Sequence, residues 1–424
     1  VSRARLAALA VLAALALPPR LSAQGAPARP AAADSGITVD LLTMGQGEYV
    51  FEKFGHNAIV VTDRAAGTSV AYNWGVFDFN QPNFLGRFLT GDTKYWVAAY
   101  DTRQTIEFYR SINRTVEVQR LRLTPGQALA LRNLAERNLL EENKYYRYDY
   151  FRDNCSTRVR DLLDRVLGGA LRRATEGTPG TGSFRTHVQR LVADNPATYA
   201  GITIALGRRA DSTLSQWDEM FIPMKVRDRV RELKVAGPDG QPVPLVEREE
   251  VVFASTRPPE RTEAPRWTGY FFAIGAFVAA LILMAARGAP ASGGARWSLR
   301  LAGTGFGAVA GLIGVAIFLA ANFTKHVYWQ QDVSLALFPP TGLVFAVAWW
   351  RWLGRAQPGL GTTIALGSFL LPPVLGALMA LVDGGWHGAL PAIALALPIH
   401  AAFVAALTLV AAREPARALR WTAR

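Results

Sequence analysis

The sequence predicts an α+β globular domain over residues 37–266, followed by an all-α domain of five membrane spans over residues 267–424. Three observations carry this. Short strand-like and helix-like segments alternate in the first two thirds, long apolar runs dominate from Trp267 onward, and the only cysteine, Cys155, opens an amphipathic helix. A chain of 424 residues exceeds what one ordinary core organises, so two or more domains are expected. The formal net charge is +13, which favours an anionic partner. No zinc-ligand spacing or basic-aromatic pattern accompanies it, so nucleic acid is not the expected partner, and many of the arginines flank apolar spans.

Arg3 and Arg5 precede an apolar run from Leu6 to Leu17 and then Leu21-Ser22-Ala23, the pattern of a signal peptide over 1–23 or an uncleaved signal anchor. Residues 24–36, rich in Ala and Pro, read as a linker. An exported domain with a single cysteine has no internal disulfide available to it.

Ile37–Leu42 reads as a strand, and Ala58-Ile59-Val60-Val61 continues a second one that His56 leads into. A turn at Ala66-Gly67 joins this to a third strand, Ser69–Trp74, as a hairpin. Gly75–Gly91 reads as a loop with a short helix, holding Phe77, Phe79, Phe84 and Phe88. These rings are expected in a core, or along an acyl-chain entrance if the protein handles lipid. Lys94–Tyr100 and Thr115–Leu123 are strand-like around a helix at Arg103–Ser111. Thr124-Pro125-Gly126-Gln127 fits a capping box with proline at the first helical position, opening a helix to about Leu140. Tyr145–Phe151 reads as an aromatic strand. Gly168–Gly182 reads as a flexible connection, Thr186–Val192 and Ser212–Met220 as helical, and Ala236–Arg266 as a Pro-rich charged approach to the membrane.

The apolar spans fall at about 267–286, 299–321, 335–353, 362–382 and 390–412, each near the ~20 residues a bilayer core requires. Arginines cluster after the first, third and fifth. The positive-inside rule then puts residues 24–266 outside the cytoplasm and the C-terminus inside. Trp329, Trp349, Trp350, Trp352 and Trp386 read as interface anchors. His187 reads as a surface residue, His326 and His387 as residues at span ends, and His400, deep in the last span, as a candidate functional group.

Asp153-Asn154-Cys155-Ser156-Thr157-Arg158 precedes an apolar stripe of Val159, Leu162, Leu163, Val166 and Leu167. Asp153 or Asn154 is suited to cap the helix, which places Cys155 in its first turn, where the helix dipole favours a thiolate. A thiolate nucleophile needs an imidazole to move protons, and His56 is the candidate. A cysteine at a helix start against a sheet bearing histidine is a papain-like arrangement, and histidine before cysteine is its circularly permuted order. Asn73 is the candidate orienting group, with equal weight on a purely backbone-satisfying role; Asp78 and Tyr72 are lesser candidates. Asn154 reads as a cap, and the backbone N–H groups of Cys155 and Ser156 as a partial oxyanion hole.

Phe54-Gly55-His56-Asn57-Ala58, Tyr72-Asn73-Trp74-Gly75-Val76-Phe77-Asp78-Phe79 and Asp153–Arg158 together resemble the Lnb N-terminal periplasmic domain family, with a looser echo of that family's membrane region at His326–Trp329 and Pro339-Pro340. The resemblance implies a lipoprotein N-acyltransferase of the bacterial inner membrane, with Cys155 as nucleophile and His56 as base. It further implies a phospholipid donor, a diacylglyceryl lipoprotein acceptor and no cofactor. The same residues leave open an exported thiol hydrolase, acting on peptidoglycan or phospholipid, and a non-catalytic membrane scaffold.

Overall fold

The computed structural model describes residues 36–354, 359–383 and 389–413. The expected signal segment, almost all of the linker, and Trp386 and His387 lie outside these. The strands of the main sheet are β1 (Ile37–Met44), β2 (His56–Asp63), β3 (Thr68–Val76), β4 (Lys94–Asp101), β5 (Val116–Leu121), β6 (Tyr145–Arg147) and β7 (Val246–Phe253). They form one seven-stranded sheet in the order β7-β5-β1-β2-β3-β4-β6, antiparallel throughout.

The helices around the sheet are α1 (Phe84–Thr90), α2 (Thr102–Ser111), α3 (Pro125–Leu139), α4 (Cys155–Val166), α5 (Phe184–Leu191), α6 (Pro196–Ala205) and α7 (Pro223–Glu232). Side chains alternate across a strand, so each face of the sheet has its own set. Val39, Leu41, Ile59, Val61, Tyr72 and Trp74 pack against Leu131 of α3, Val159 and Leu163 of α4, and Val226 and Val230 of α7. Leu42, Met44, Ala58, Val60 and Ala71 face Ile106 and Tyr109 of α2. The Thr124 capping box forms as the sequence predicts, with its hydroxyl accepting from Gln127 N and the Gln127 side chain reaching back.

Several expectations need correction. The strand expected over Tyr145–Phe151 stops at Arg147, because the chain turns through a bridge between Asp149 and Asp153. The flexible connection 168–182 holds a helix, Ala170–Thr175, and most of a short strand, Pro179–Ser183, paired to Thr213–Ser215. The charged approach 236–266 contains β7, an edge strand whose Glu247, Arg248, Glu249 and Glu250 hid it from a pattern reading. Such charges suit an exposed edge, where they discourage pairing with other chains.

The C-terminal region comprises α8 (Thr268–Gly288), α9 (Gly293–Phe323), α10 (Ser334–Leu337), α11 (Gly342–Gly354), α12 (Leu360–Asp383) and α13 (Leu390–Arg413). Among the described residues four helices, α8, α9, α12 and α13, are long and apolar enough to cross a membrane. The third expected span, 335–353, is not one helix. Phe338-Pro339-Pro340-Thr341 interrupts it because proline lacks the N–H and disfavours helix before it. The 13 residues of α11 reach only about 20 Å by themselves. The interruption strands the Leu337 carbonyl in an apolar bundle, and His400 Nε2 donates to it at 2.9 Å. That gives the buried histidine a structural task, since unsatisfied backbone is costly away from water.

α9 packs against 338–354 in antiparallel fashion along Gly303, Gly307, Gly311 and Gly314. A Cβ at Gly307 would lie 2.6 Å from the Phe345 ring, and at Gly311 it would overlap the Leu343 backbone. Small residues at such spacing let two helices approach where lipid supplies no hydrophobic drive. Trp349 and Trp352, expected as interface anchors, are instead buried in the bundle, where Trp349 Nε1 donates to Leu299 O at 3.0 Å. Trp350 stacks with Arg300, whose Nε donates to the Trp350 carbonyl at 3.0 Å.

The two halves meet through a layer of Phe151, Phe184, Tyr199, Phe221, Phe271 and Tyr328. Gly207 N donates to Tyr328 O at 2.6 Å and Arg152 Nε to Tyr328 Oη at 2.9 Å. α8 and α13 both start beside this layer, with Tyr199 against Trp267, and Leu395 packed on it and abutting Gly275. Gly311→Leu should lower the thermal unfolding midpoint of the detergent-solubilised protein, with an overpacking cost of about 1–3 kcal/mol or more. Gly305→Leu, where a Cβ meets nothing within 4 Å, should leave the midpoint nearly unchanged.

Candidate active site

His56 begins β2 directly after Gly55, whose φ of +83° is accessible mainly to glycine and where a Cβ would sit 2.8 Å from Met44 O. Strand pairing sets Asn73 of β3 opposite Ala58, on the same sheet face as His56. His56 Nε2 and Asn73 Oδ1 are 3.1 Å apart. Asn73 Nδ2 donates to Ala71 O at 3.0 Å, which leaves Oδ1 as the acceptor. Nε2 therefore carries a proton, which leaves Nδ1 as the nitrogen available for proton transfer. Tyr109 stacks beside the imidazole at 6.1 Å between centroids, on the face away from α4.

Cys155 is the first residue of α4. Asn154 caps the helix: its Oδ1 accepts from Ser156 N and Thr157 N, both at 2.9 Å. Its Nδ2 donates to Tyr150 O at 3.0 Å and Phe221 O at 2.9 Å. The amide is fully engaged in holding the helix start, as a cap and not as a reacting group. The Ser156 N–H is bonded to that cap, so of the two expected oxyanion donors only the Cys155 N–H is left uncommitted by Asn154. Ser156 Oγ lies 3.8 Å from Sγ. A register shift in β3 after Asn73 and the positive φ of Gly75, +85°, bring the strand against the cysteine. A Cβ on Gly75 would lie 3.4 Å from that of Cys155.

Cys155 is buried. Burial alone would raise its thiol. The charge of His56 and a hydrogen bond from it, helped by the Asn57 N–H and the Ser156 hydroxyl, outweigh burial and bring the thiol down to about 7. A substantial thiolate fraction at neutral pH, an imidazole with one nitrogen tied to an amide oxygen, and a helix N-terminus beneath the sulfur together suit nucleophilic attack on a carbonyl.

The lesser candidates are elsewhere. Tyr72 projects from the opposite sheet face into the helix-packed core, and Asp78 accepts from Asn80 N in an exposed turn. His187, expected at the surface, is buried: its Nε2 meets Glu219 Oε1 at 2.8 Å and Arg190 Nε donates to its Nδ1 at 3.0 Å. Burial, with Arg190 adding to it, holds this imidazole below its usual range. His326, at the end of α9, lies 3.0 Å from Phe88 O through Nε2. Sequence reasoning missed Tyr109, Tyr148 and Arg114. Arg114 is buried, donates to Gly45 O at 2.8 Å and lies 5.0 Å from the Tyr109 ring centroid. Nothing in their spacing marks these residues; only the fold brings them together. Among the described residues no cluster of His, Cys, Asp or Glu could hold a metal ion.

The fold and site define a class: a sheet-and-helix domain with a cysteine and a histidine brought together, seated on an apolar helical bundle. Residues 31–192 match the family model of the Lnb N-terminal periplasmic domain, the family that the three motifs resemble. No curated protein and no solved structure matches the chain.

Alkylation of Cys155 by iodoacetamide should rise as pH increases through about 7, following thiolate formation. His56→Ala leaves burial as the leading influence, so the midpoint should move up and labelling at pH 7 should fall about tenfold or more. Asn154→Ala should cost about 1 kcal/mol or more in thermal unfolding, from loss of the cap. Asn154→Asp keeps a cap oxygen but sets a carboxylate beside the sulfur, and the alkylation midpoint should rise.

Proposed function

We propose that this protein is a membrane-bound thiol acyltransferase that moves an acyl chain from a phospholipid to the N-terminal amine of a diacylglyceryl lipoprotein. The observation that carries the reading is the Asn73–His56–Cys155 arrangement on a capped helix start, in a domain of the matched family that rests on apolar helices. The domain corresponds to a circularly permuted papain-like fold, with Cys155 as nucleophile, His56 as base and Asn73 orienting the imidazole.

The Cys155 thiolate attacks the ester carbonyl of the phospholipid. The C–O bond breaks, the protonated imidazole gives its proton to the departing alkoxide, and a lysophospholipid leaves a thioester on Sγ. The lipoprotein amine then attacks the thioester and gives its proton to His56 Nδ1. The C–S bond breaks, and an amide and a free thiolate result. The Cys155 N–H is placed to stabilise the tetrahedral oxyanion, and Ser156 lines the same helix start. Water competes with the amine, so an enclosed sulfur favours transfer over hydrolysis.

The chain direction supports five crossings, with the broken segment 334–354 as the third. α8 leaves the globular domain, and α9 returns to it, where Lys325 N donates to Thr90 O at 2.9 Å. The broken segment runs back antiparallel to α9, and α13 starts again at the domain face. Together with the arginines after the first, third and fifth crossings, this supports a topology with residues 37–266 on the periplasmic side of the inner membrane and the C-terminus in the cytoplasm.

The full chain, reconstituted in phospholipid vesicles with a diacylglyceryl peptide bearing a free amine, should yield an N-acyl peptide and lysophospholipid in equal amounts by mass spectrometry. Cys155→Ser should abolish both products, and His56→Ala should slow them by about 10²–10⁴-fold. Free fatty acid in place of the amide would show a hydrolase, and no turnover by the intact chain would remove the enzymatic reading.

A further inference from the structure

The globular domain exposes a set of large apolar side chains on one rim. Leu85 is 66% exposed, Leu89 58%, Phe88 49%, Phe79 60% and Phe51 52%. A contiguous apolar surface of this kind is uncommon on a water-facing domain and needs a partner. Its position in the fold says which partner. α1, which carries Leu85, Phe88 and Leu89, sits on the exit of span α9. Lys325 N donates to Thr90 O, His326 Nε2 lies 3.0 Å from Phe88 O, and a Cβ on Gly91 would be 3.2 Å from His326 N. Phe323, the last residue of that span, is 72% exposed at the same end. The apolar rim therefore continues the lipid-facing surface of the bundle, as short amphipathic elements at a bilayer interface do.

From this rim a line of rings runs inward. Phe79 meets Phe77 at 5.0 Å between centroids, Phe77 meets Tyr95 at 5.0 Å, and Tyr95 stacks on Tyr148 at 4.2 Å. Tyr148 and Cys155 converge on Gly75, where a Cβ would lie 3.5 Å from the tyrosine ring and 3.4 Å from Cys155 Cβ. Phe51 closes the outer end, 5.6 Å from Phe77 and 5.9 Å from Phe79.

We propose that the rim formed by Phe51, Phe79, Leu85, Phe88 and Leu89 is immersed in the adjacent leaflet of the bilayer, and that an acyl chain passes from the leaflet along Phe77, Tyr95 and Tyr148 to the sulfur of Cys155. The second half of this statement rests on the acyltransferase reading; the first does not. Immersion removes these side chains from water, and the ring track lets a chain approach without crossing the aqueous phase. The headgroup stays at the interface, beside Lys325 and Asp92.

The test uses the full chain as Cys155→Ser, with a single new cysteine at Leu85→Cys, Phe88→Cys or, on α3 as a control, Leu129→Cys. Each is labelled with NBD in vesicles of phosphatidylethanolamine and phosphatidylglycerol containing doxyl-labelled phosphatidylcholine. The labels at 85 and 88 should be quenched at least twofold more than the label at 129. Equal, water-like emission at all three positions would overturn the proposal, as would equal quenching at all three, which reports mere adsorption. Protection at 85 and 88 only after adding the lipoprotein acceptor would overturn it too, because the rim would then be a protein contact. In otherwise unaltered protein, Leu85→Glu with Phe88→Glu should cut acyl transfer from vesicle lipid about tenfold while iodoacetamide labelling of Cys155 stays unchanged. Unchanged transfer by that variant would overturn the entry route. Rim quenching in a protein that transfers no acyl group would instead count against the acyltransferase reading alone.

Discussion

The Asn154 side chain is the constraint on which the site depends. Its oxygen terminates α4 and its nitrogen ties that helix start to the Tyr150 and Phe221 carbonyls, so one buried amide fixes three separate pieces of chain. Remove it and two backbone donors and two carbonyls lose a partner away from water, which costs far more than an exposed cap would. The benefit is positional. Cys155 starts a helix whose direction is set by burial of Val159 and Leu163, and the sulfur lies where β2 and β3 present His56 and Gly75. The electrostatics then follow from the geometry, because burial opposes the thiolate and the close imidazole, helped by the Asn57 N–H and the Ser156 hydroxyl, reverses that.

The rest of the architecture reads as support for that placement. The two sheet faces divide the labour: one packs helices α3, α4 and α7, and the other carries Asn73 with Tyr109 behind the histidine. A second aromatic layer joins the domain to the apolar bundle, with Tyr328 contacting Phe151 and Phe184 only a few residues from Asn154. The sulfur is thus linked through few intermediates to the element that would lie at a membrane surface.

Much of this was legible in the sequence, for physical reasons that differ by region. The capping box at Thr124 and the Asn-Cys-Ser-Thr helix start are local: a few side chains satisfy nearby backbone, and spacing alone reveals them. Asn73 was legible only as one of two roles, because its partner depends on strand register. β7 was invisible, since a charged edge strand has no apolar alternation to read. His187 reads as a surface residue because its helix is polar, whereas what buries it, Glu219 and Arg190 in an ion-paired interior, is a tertiary fact. The third span was read from composition, which is right about its apolarity and blind to what Pro339-Pro340 does to the helix. The glycines at 303, 307 and 311 carry the four-residue spacing of a close helix contact. Tyr148 and Tyr109 had no sequence signal at all, as they reach the site through turns and sheet packing.

The central claim is that Cys155 takes an acyl group in a step that needs His56. The direct measurement is intact-peptide mass spectrometry of the reconstituted protein after incubation with phospholipid and no acceptor. The account predicts one acyl adduct on the peptide containing Cys155, labile to hydroxylamine and absent in His56→Ala. An unmodified Cys155 in folded protein given phospholipid, or an adduct that forms equally without the histidine, would contradict it.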